Sequence, residues 1–403
     1  MSNRVVITGM GIISALGHCP ETILRSFKND QVCFRRSRHD PEIVISPVCG
    51  FDVKAYTGRF KNLRYLNPGF QFALAAAVAA VENAGIDKAC LDLAGLFAGV
   101  GPNLDLEKEL VAIKNGQLDD SALNALWMLR FLPNTGASAI SQVLGIHGEN
   151  LTIATACSAS LQAIGQAYRK IKHGYLDVAM AGGGDSRLSS GGILAYRKAQ
   201  ALCMVNGTPD TASRPFDESR NGFVPGEGGA FFVLENIAHA RQRGAHIYAE
   251  ICGYSATMDG YAMTAPRPDG KFARLAIQNV LREANILPEQ IDYVSAHGTG
   301  TQLNDQVEAD VIADVFGGRT PYVIGLKSWI GHVSAACGAV ELGLNLVLLG
   351  NELLPAIRNL KHPCRSDVAF VNKTMAFAAE HVLIENFGFG GQNAALVIRK
   401  WKS

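Results

Sequence analysis

No stretch of this sequence is apolar for long enough to cross a bilayer. The richest run, Phe72 to Val81, stops at Glu82 and Asn83, short of the roughly 18 residues a spanning helix needs. The opening Met1-Ser2-Asn3-Arg4-Val5-Val6-Ile7-Thr8-Gly9 lacks the apolar run and small-residue cleavage site of a secretory signal. An excess of charge of one sign is also missing, with 37 Lys+Arg against 36 Asp+Glu. A balance so close to neutral argues against nucleic acid or a membrane surface as the main partner. The nine cysteines contain no C-x-x-C pair, so the usual zinc and redox spacings are absent, and the odd count points to free thiols in a reducing cytoplasm. Short-period repeats and low-complexity segments are lacking too, which argues against a solenoid.

What is present is alternation. Short apolar runs at Arg4–Thr8, Leu96–Gly99, Asn150–Ala154 and Val178–Ala181 read as buried strands, and Phe70–Ala84 and Ser158–His173 as helices closed by Gly85 and Gly174. The alternation starts again near Tyr248. Strands are predicted at Tyr248–Tyr254, Tyr293–Ala296, Tyr322–Gly325, Val382–Phe387 and Ala394–Arg399, with helices at Ala273–Ala284, Glu308–Val315 and Ala335–Leu349. Such a pattern predicts an α/β fold in two unequal halves. Segments 205–220 and 259–270 read as long loops, which in a compact fold are usually functional.

Four short segments carry chemistry. In Ala154-Thr155-Ala156-Cys157-Ser158 a strand runs into a cysteine and a helix follows at once. A thiol at a helix N-terminus meets unpaired N–H groups and the positive end of the macrodipole, which predicts a lowered thiol pKa. The sharp turn would also expose the side chain, although position alone does not separate a nucleophile from a buried structural cysteine. His297-Gly298-Thr299-Gly300-Thr301 follows the strand at Tyr293–Ala296, and Lys327-Ser328-Trp329-Ile330-Gly331-His332 follows the next one. Adjacent parallel strands would bring both histidines to one sheet edge, with Glu341 on the following helix available to pair with Lys327. Asn386-Phe387-Gly388-Phe389-Gly390-Gly391 sets glycines between aromatics. It lacks the Gly-Lys-Ser/Thr ending of a phosphate loop, and suits an oxyanion-hole N–H or a gate to an apolar pocket. Gly9-Met10-Gly11-Ile12-Ile13-Ser14 imitates a dinucleotide fingerprint but lacks its third glycine and a well-placed acidic residue, so no nucleotide cofactor is expected.

Taken in order, these segments resemble the elongating β-ketoacyl-carrier-protein synthases of the thiolase superfamily, most closely the ketosynthase subunits of type II polyketide or polyene pathways. Ser213-Arg214-Pro215-Phe216-Asp217 and Val224-Pro225-Gly226-Glu227-Gly228 look like two further family blocks, so the likeness spans essentially the whole chain. The resemblance implies a thiolase-like five-layered αβαβα fold built from two pseudo-symmetric halves, here 1–247 and 248–403. It also implies a dimer, either a homodimer or a heterodimer with a chain-length-factor-like subunit. Cys157 would take an acyl group from the phosphopantetheine arm of an acyl carrier protein. Backbone N–H groups of Cys157 and Phe389 would form the oxyanion hole. His297 and His332 would stabilise the enolate as malonyl-carrier protein loses carbon dioxide, with Lys327 and Glu341 ordering them. Thr299 and Thr301 would hold the pantetheine amides, and Phe387, Phe389 and Gly390 would form a gate with segment 259–270. No bound cofactor or metal is implied.

Departures from the fatty-acid enzymes favour the polyketide branch: Gln302, Gln392 and Gln200 replace residues common there, and the region Arg59–Pro68 is short. Carrier docking falls on Arg59, Lys61, Arg64, Arg197 or Lys198. The competing readings are a housekeeping fatty-acid synthase, a non-catalytic chain-length factor, a degradative thiolase and a Cys–His protease. A chain-length factor typically loses the cysteine, and a degradative thiolase carries a second catalytic cysteine near the C-terminus. Cys364, in a Lys-His-Pro-Cys-Arg loop, does not look like one.

Overall fold

The computed structural model describes residues 3–402 except 115, 117–122, 124, 205, 206 and 319. The elements that position the site are, in chain order, β1 (Val5–Ile13), α1 (Pro68–Ala84), β2 (Gly95–Gly99), α2 (Glu107–Lys114), β3 (Asn150–Ile153), α3 (Ala159–Lys172), β4 (Val178–Ser186), α4 (Ser190–Lys198) and β5 (Glu227–Asn236). They continue with β6 (Ala249–Met258), α5 (Lys271–Ala284), β7 (Tyr293–Ser295), α6 (Gln302–Phe316), β8 (Tyr322–Ile324), α7 (Cys337–Gly350), β9 (His381–Gly388) and β10 (Gln392–Lys400).

The ten strands lie in the order β8-β7-β9-β10-β6-β1-β5-β4-β2-β3. Each half therefore repeats one plan: third strand, second, fourth, fifth, first. The senses repeat as well, because the third, second and fourth strands run parallel and the fifth is antiparallel to both its neighbours. The halves meet where Val5–Ile7 of β1 pairs with Ala249–Ile251 of β6.

Helices α3 and α7 lie in the middle, each packed on the other and on strands of both halves. Outside them α1 covers β1, β5 and β4, while α5 covers β6 and β10 and carries α6 beside it. This is the five-layered αβαβα fold of two pseudo-symmetric halves. Helices on both faces explain why all nine residues of β1 are buried.

Two expectations change. Strand β1 continues to Ile13 because Gly9 and Gly11 let α1 lie directly on it. A Cβ at Gly9 would sit 2.4 Å from the Ala80 carbonyl oxygen, and one at Gly11 2.0 Å from that of Ala76. The glycine pair that imitates a nucleotide motif is thus a packing device. Strand β5 escapes the pattern reading because it opens in Gly228 and Gly229, which mask the apolar run Phe231–Leu234. Among the described residues no helix is long and apolar enough to cross a membrane. Residues 205 and 206 of the first long-loop segment lie outside the described residues.

Candidate active site

The two central helices begin alike. A 3₁₀ turn precedes each, Ala156–Ser158 before α3 and Ser334–Ala336 before α7. The first residue of each turn has left-handed backbone geometry, φ 49° at Ala156 and 54° at Ser334. That conformation is uncommon for residues with a Cβ and clusters at functional sites. The turns touch, so two helix N-termini converge, with Cys157 in one turn and Ala335 in the matching place of the other.

Cys157 is half-buried rather than exposed by its turn. Its thiol also departs from expectation. Burial pushes it up to about 11, against the charge of Lys327 and the Phe389 backbone N–H, both of which favour the thiolate. Loss of water from the sulfur outweighs both, so the free enzyme holds a thiol.

His297 and His332 follow β7 and β8, which pair in parallel from Tyr293–Tyr322 to Ser295–Ile324. Both reach the same edge. The loop after β7 is fixed by two carboxylates of α6, since Glu308 accepts from the backbone N–H of His297 at 2.6 Å and of Gly298 at 2.8 Å. Asp305 accepts from those of Thr299 and Gly300, each at 3.0 Å. Helix α6 starts at Gln302, six residues before the predicted start at Glu308, because these acids bind the loop from its first turns.

Behind His297 runs a buried chain of polar groups. Lys327 Nζ donates to Glu341 Oε1 at 2.5 Å and lies 3.1 Å from His297 Nδ1. Asn386 Nδ2 donates to Glu341 Oε2 at 2.7 Å. Burial opposes the Lys327 charge, but Glu341 holds the ammonium above its ordinary pKa. An ammonium aimed at Nδ1 leaves the imidazole proton on Nε2. His332 reaches the same tautomer differently, its Nδ1 accepting from the Ser334 backbone N–H at 3.0 Å. Its own backbone is clamped by Val224 and Gly226, which gives the Val224–Gly228 block its purpose.

Both imidazoles are neutral at physiological pH. Burial, then Lys327 and His332, pushes His297 well below its ordinary value. Burial and the Lys327 charge take His332 down to about 3. The rings meet edge to face, with centroids 5.5 Å apart and planes at 80°. Cys157 Sγ and one nitrogen of each imidazole all lie within 4.8 Å of one another. Three such donors also suit a metal ion, but the Lys327 ammonium behind His297 opposes a cation there.

These groups open into a cavity of about 520 Å³. Thr299, Thr301, Phe387 and Phe389 line it, as do Thr264, Ala265 and Pro266 of the second long loop. Thr299 and Thr301 are hydroxyl to hydroxyl at 3.0 Å. Phe389 is 39% exposed, and Gly390 ties the two loops by donating its N–H to the Met263 carbonyl at 2.8 Å. Gln200 and Gln302 line the cavity, whereas Arg59, Lys61, Arg64, Arg197 and Lys198 do not. Arg197 is paired with Asp40 and Glu42, and Arg64 lies over the Tyr65 ring at 4.8 Å.

Sequence reasoning brought Cys157, His297, Lys327, His332 and Glu341 together but missed Asp305, Glu308, Asn386 and the buried pair Asp185–Arg187. For Asp305 and Glu308 a signal existed. Acids three residues apart, directly after a glycine-rich loop, share one helical face and can bind that loop's free N–H groups.

Comparison with known proteins places this geometry. Residues 2–240 match the N-terminal domain of β-ketoacyl synthases and residues 248–361 the C-terminal domain. A putative polyketide β-ketoacyl synthase of Streptomyces halstedii is 34% identical, covering 99% of this chain and 98% of its own. The 3-oxoacyl-[acyl-carrier-protein] synthase 2 of Vibrio cholerae is 32% identical, covering 98% and 99%. Among solved structures, a β-ketoacyl synthase from Burkholderia phymatum superposes with TM-score 0.92 at 31% identity, over 99% of this chain and all of that one. The ishigamide ketosynthase/chain length factor superposes with TM-score 0.89 at 27% identity, over all of both chains. With its thiol and two imidazoles convergent at one cavity, the chain belongs to the β-ketoacyl synthase family and is a ketosynthase-type condensing enzyme.

Proposed function

We propose that the chain is the condensing subunit of a type II polyketide or polyene pathway, with Cys157 as nucleophile and His297 and His332 as the groups that stabilise the enolate. The observation that carries this reading is the convergence of one thiol and two neutral Nε2–H imidazoles. In the first half-reaction the Cys157 sulfur attacks an acyl thioester on a carrier protein, and the thiol proton ends on the departing pantetheine sulfur. Backbone N–H groups of Cys157 and Phe389 stabilise the tetrahedral oxyanion. Malonyl-carrier protein then enters past Thr299 and Thr301, which hold its pantetheine amides. Its thioester carbonyl accepts from both Nε2–H groups as carbon dioxide leaves. The enolate carbon attacks the acyl carbonyl, the carbon–sulfur bond breaks, and the thiolate takes a proton from solvent.

Neutral donors suit this step because a fixed N–H stabilises a developing enolate oxygen without first moving a proton. Lys327 and Glu341 are positioning residues, since they act through His297. Phe387, Phe389 and Gly390 with segment 259–270 form the gate. The two halves divide at 247/248. The departures Gln200, Gln302 and Gln392 favour the polyketide branch over the fatty-acid one.

A dimer is supported by the exposed edge of the sheet. Leu151 on β3 is exposed, as are Leu110, Val111 and Ile113 on α2. An edge strand and exposed apolar side chains are what a second subunit covers. A carrier protein and a chain-length-factor-like or identical subunit are the proposed partners. The solved relatives include a ketosynthase with a chain length factor and one with its type II acyl-carrier protein.

The test is intact-mass analysis after exposure to acyl-carrier proteins, with and without a partner subunit. The reading requires one acyl adduct, on Cys157, that malonyl-carrier protein discharges. An acyl group on any other residue, or an adduct that malonyl-carrier protein leaves in place, would remove it.

A further inference from the structure

The cavity holds a guanidinium for which the condensation steps have no use. Arg187 is 4% exposed and lines the same cavity as Cys157. Its Nη2 donates to Asp185 Oδ2 at 2.9 Å. Its Nη1 is buried and, among the described residues, meets no hydrogen-bond partner. Asp185 serves Nη2 alone, and its Oδ2 also accepts from the Ala335 N–H at 3.0 Å and its Oδ1 from that of Ser186 at 2.8 Å. Nearby, the hydroxyls of Tyr196 and Ser334 are bonded to one another at 2.8 Å. Room for the guanidinium comes from Gly101, where a Cβ would lie 1.9 Å from Nη2.

Buried donors in native proteins are nearly always paired, and one left unpaired is costly. An unmet N–H on a side chain that lines a substrate cavity therefore describes its missing acceptor. Asp185 already balances the Arg187 charge. A carboxylate would add a net buried negative charge, whereas a carbonyl or hydroxyl oxygen would complete the site at no charge cost.

We propose that Arg187 Nη1 donates to an oxygen borne along the acyl chain on Cys157, so that the enzyme selects oxygenated acyl chains over fully reduced ones. The inference rests on the ketosynthase reading above and deepens it. Unreduced oxo chains are what earlier condensations supply when no reduction follows, so the class of reaction upstream of this enzyme is condensation without complete reduction. A fatty-acid elongating enzyme, handed a saturated chain, would have nothing to place opposite Nη1.

The experiment is a competition for Cys157 in the full chain, assembled with whatever partner subunit it requires. N-acetylcysteamine thioesters of octanoate and of 3-oxo-, 5-oxo- and 7-oxo-octanoate are offered in pairs, and adducts are quantified by intact mass. The expected result is that at least one oxo chain outcompetes octanoate by about 10- to 100-fold, the discrimination of one hydrogen bond to a charged donor. In Arg187→Leu that ratio collapses to near one. Because Arg187→Leu strands the Asp185 carboxylate, the double variant Asp185→Asn/Arg187→Leu, which removes both charges, is run beside it with the same expectation. Octanoate competing equally with every oxo chain on the unaltered enzyme overturns the proposal, and this arm decides even if neither variant folds. A preference that survives in the variants overturns it too. If no thioester acylates Cys157 of the unaltered enzyme, the ketosynthase reading itself fails, and the two failures are distinct.

Discussion

Lys327 Nζ stands 3.1 Å from His297 Nδ1, with both side chains buried. The contact sets the tautomer of one imidazole, and the ammonium charge adds to burial in lowering the pKa of both. Replacing Lys327 by Ala frees His297 Nδ1 to carry the proton and turns Nε2 into an acceptor. Malonyl decarboxylation is expected to fall by about 100-fold or more, in the range of a misplaced acid–base group, and further than self-acylation of Cys157 falls. The variant also strands Glu341, at a cost of about 3 kcal/mol in a denaturant titration. Equal losses in the two half-reactions would remove the positioning role.

Cys157→Ala separates the half-reactions. Self-acylation is expected to vanish, while decarboxylation of malonyl-carrier protein persists or rises, because both imidazoles stay in place. Carbon dioxide release and intact mass report the two steps. Condensation persisting in this variant would exclude Cys157 as nucleophile.

His332→Ala has the converse expectation. Its Nε2–H is assigned to the enolate, so decarboxylation should drop more than acyl transfer, again by about 100-fold. The opposite ordering would reverse the assignment.

The thiol and the imidazoles titrate in opposite directions. Burial raises the Cys157 thiol to about 11, so alkylation of the free enzyme by iodoacetamide should still be accelerating at pH 9 to 10. A plateau below pH 8 would contradict this. His332, by contrast, has a folded pKa of about 3, below its unfolded value near 6.5. Its contribution to stability is present above pH 6.5 and is lost as the pH falls toward 3, at up to about 1.4 kcal/mol per pH unit. Urea midpoints from pH 7 to 5 should therefore fall less steeply in His332→Asn than in the unaltered protein.

Away from the site, Gly11→Ala should destabilise the fold by about 1–3 kcal/mol or prevent soluble expression. The added methyl would lie 2.0 Å from the Ala76 carbonyl oxygen of α1. Unchanged thermal stability would mean that α1 can shift away from β1 at little cost.

The sequence by itself determined where chemistry had to lie. Strands followed at once by Cys157, His297 and Lys327–His332, with glycines beside the histidines, are local patterns, and local patterns survive in one dimension. The alternation repeated after Tyr248 carried the α/β plan for the same reason. Only the tertiary structure decided how those residues behave. The thiol predicted to be acidified is held neutral because desolvation depends on everything packed around it, which no neighbour in sequence reports. The pairing of Lys327 with His297 and the orphaned nitrogen of Arg187 are likewise distances between segments far apart in the chain. A buried charge is defined by what does or does not face it, and that is settled only when the layers close.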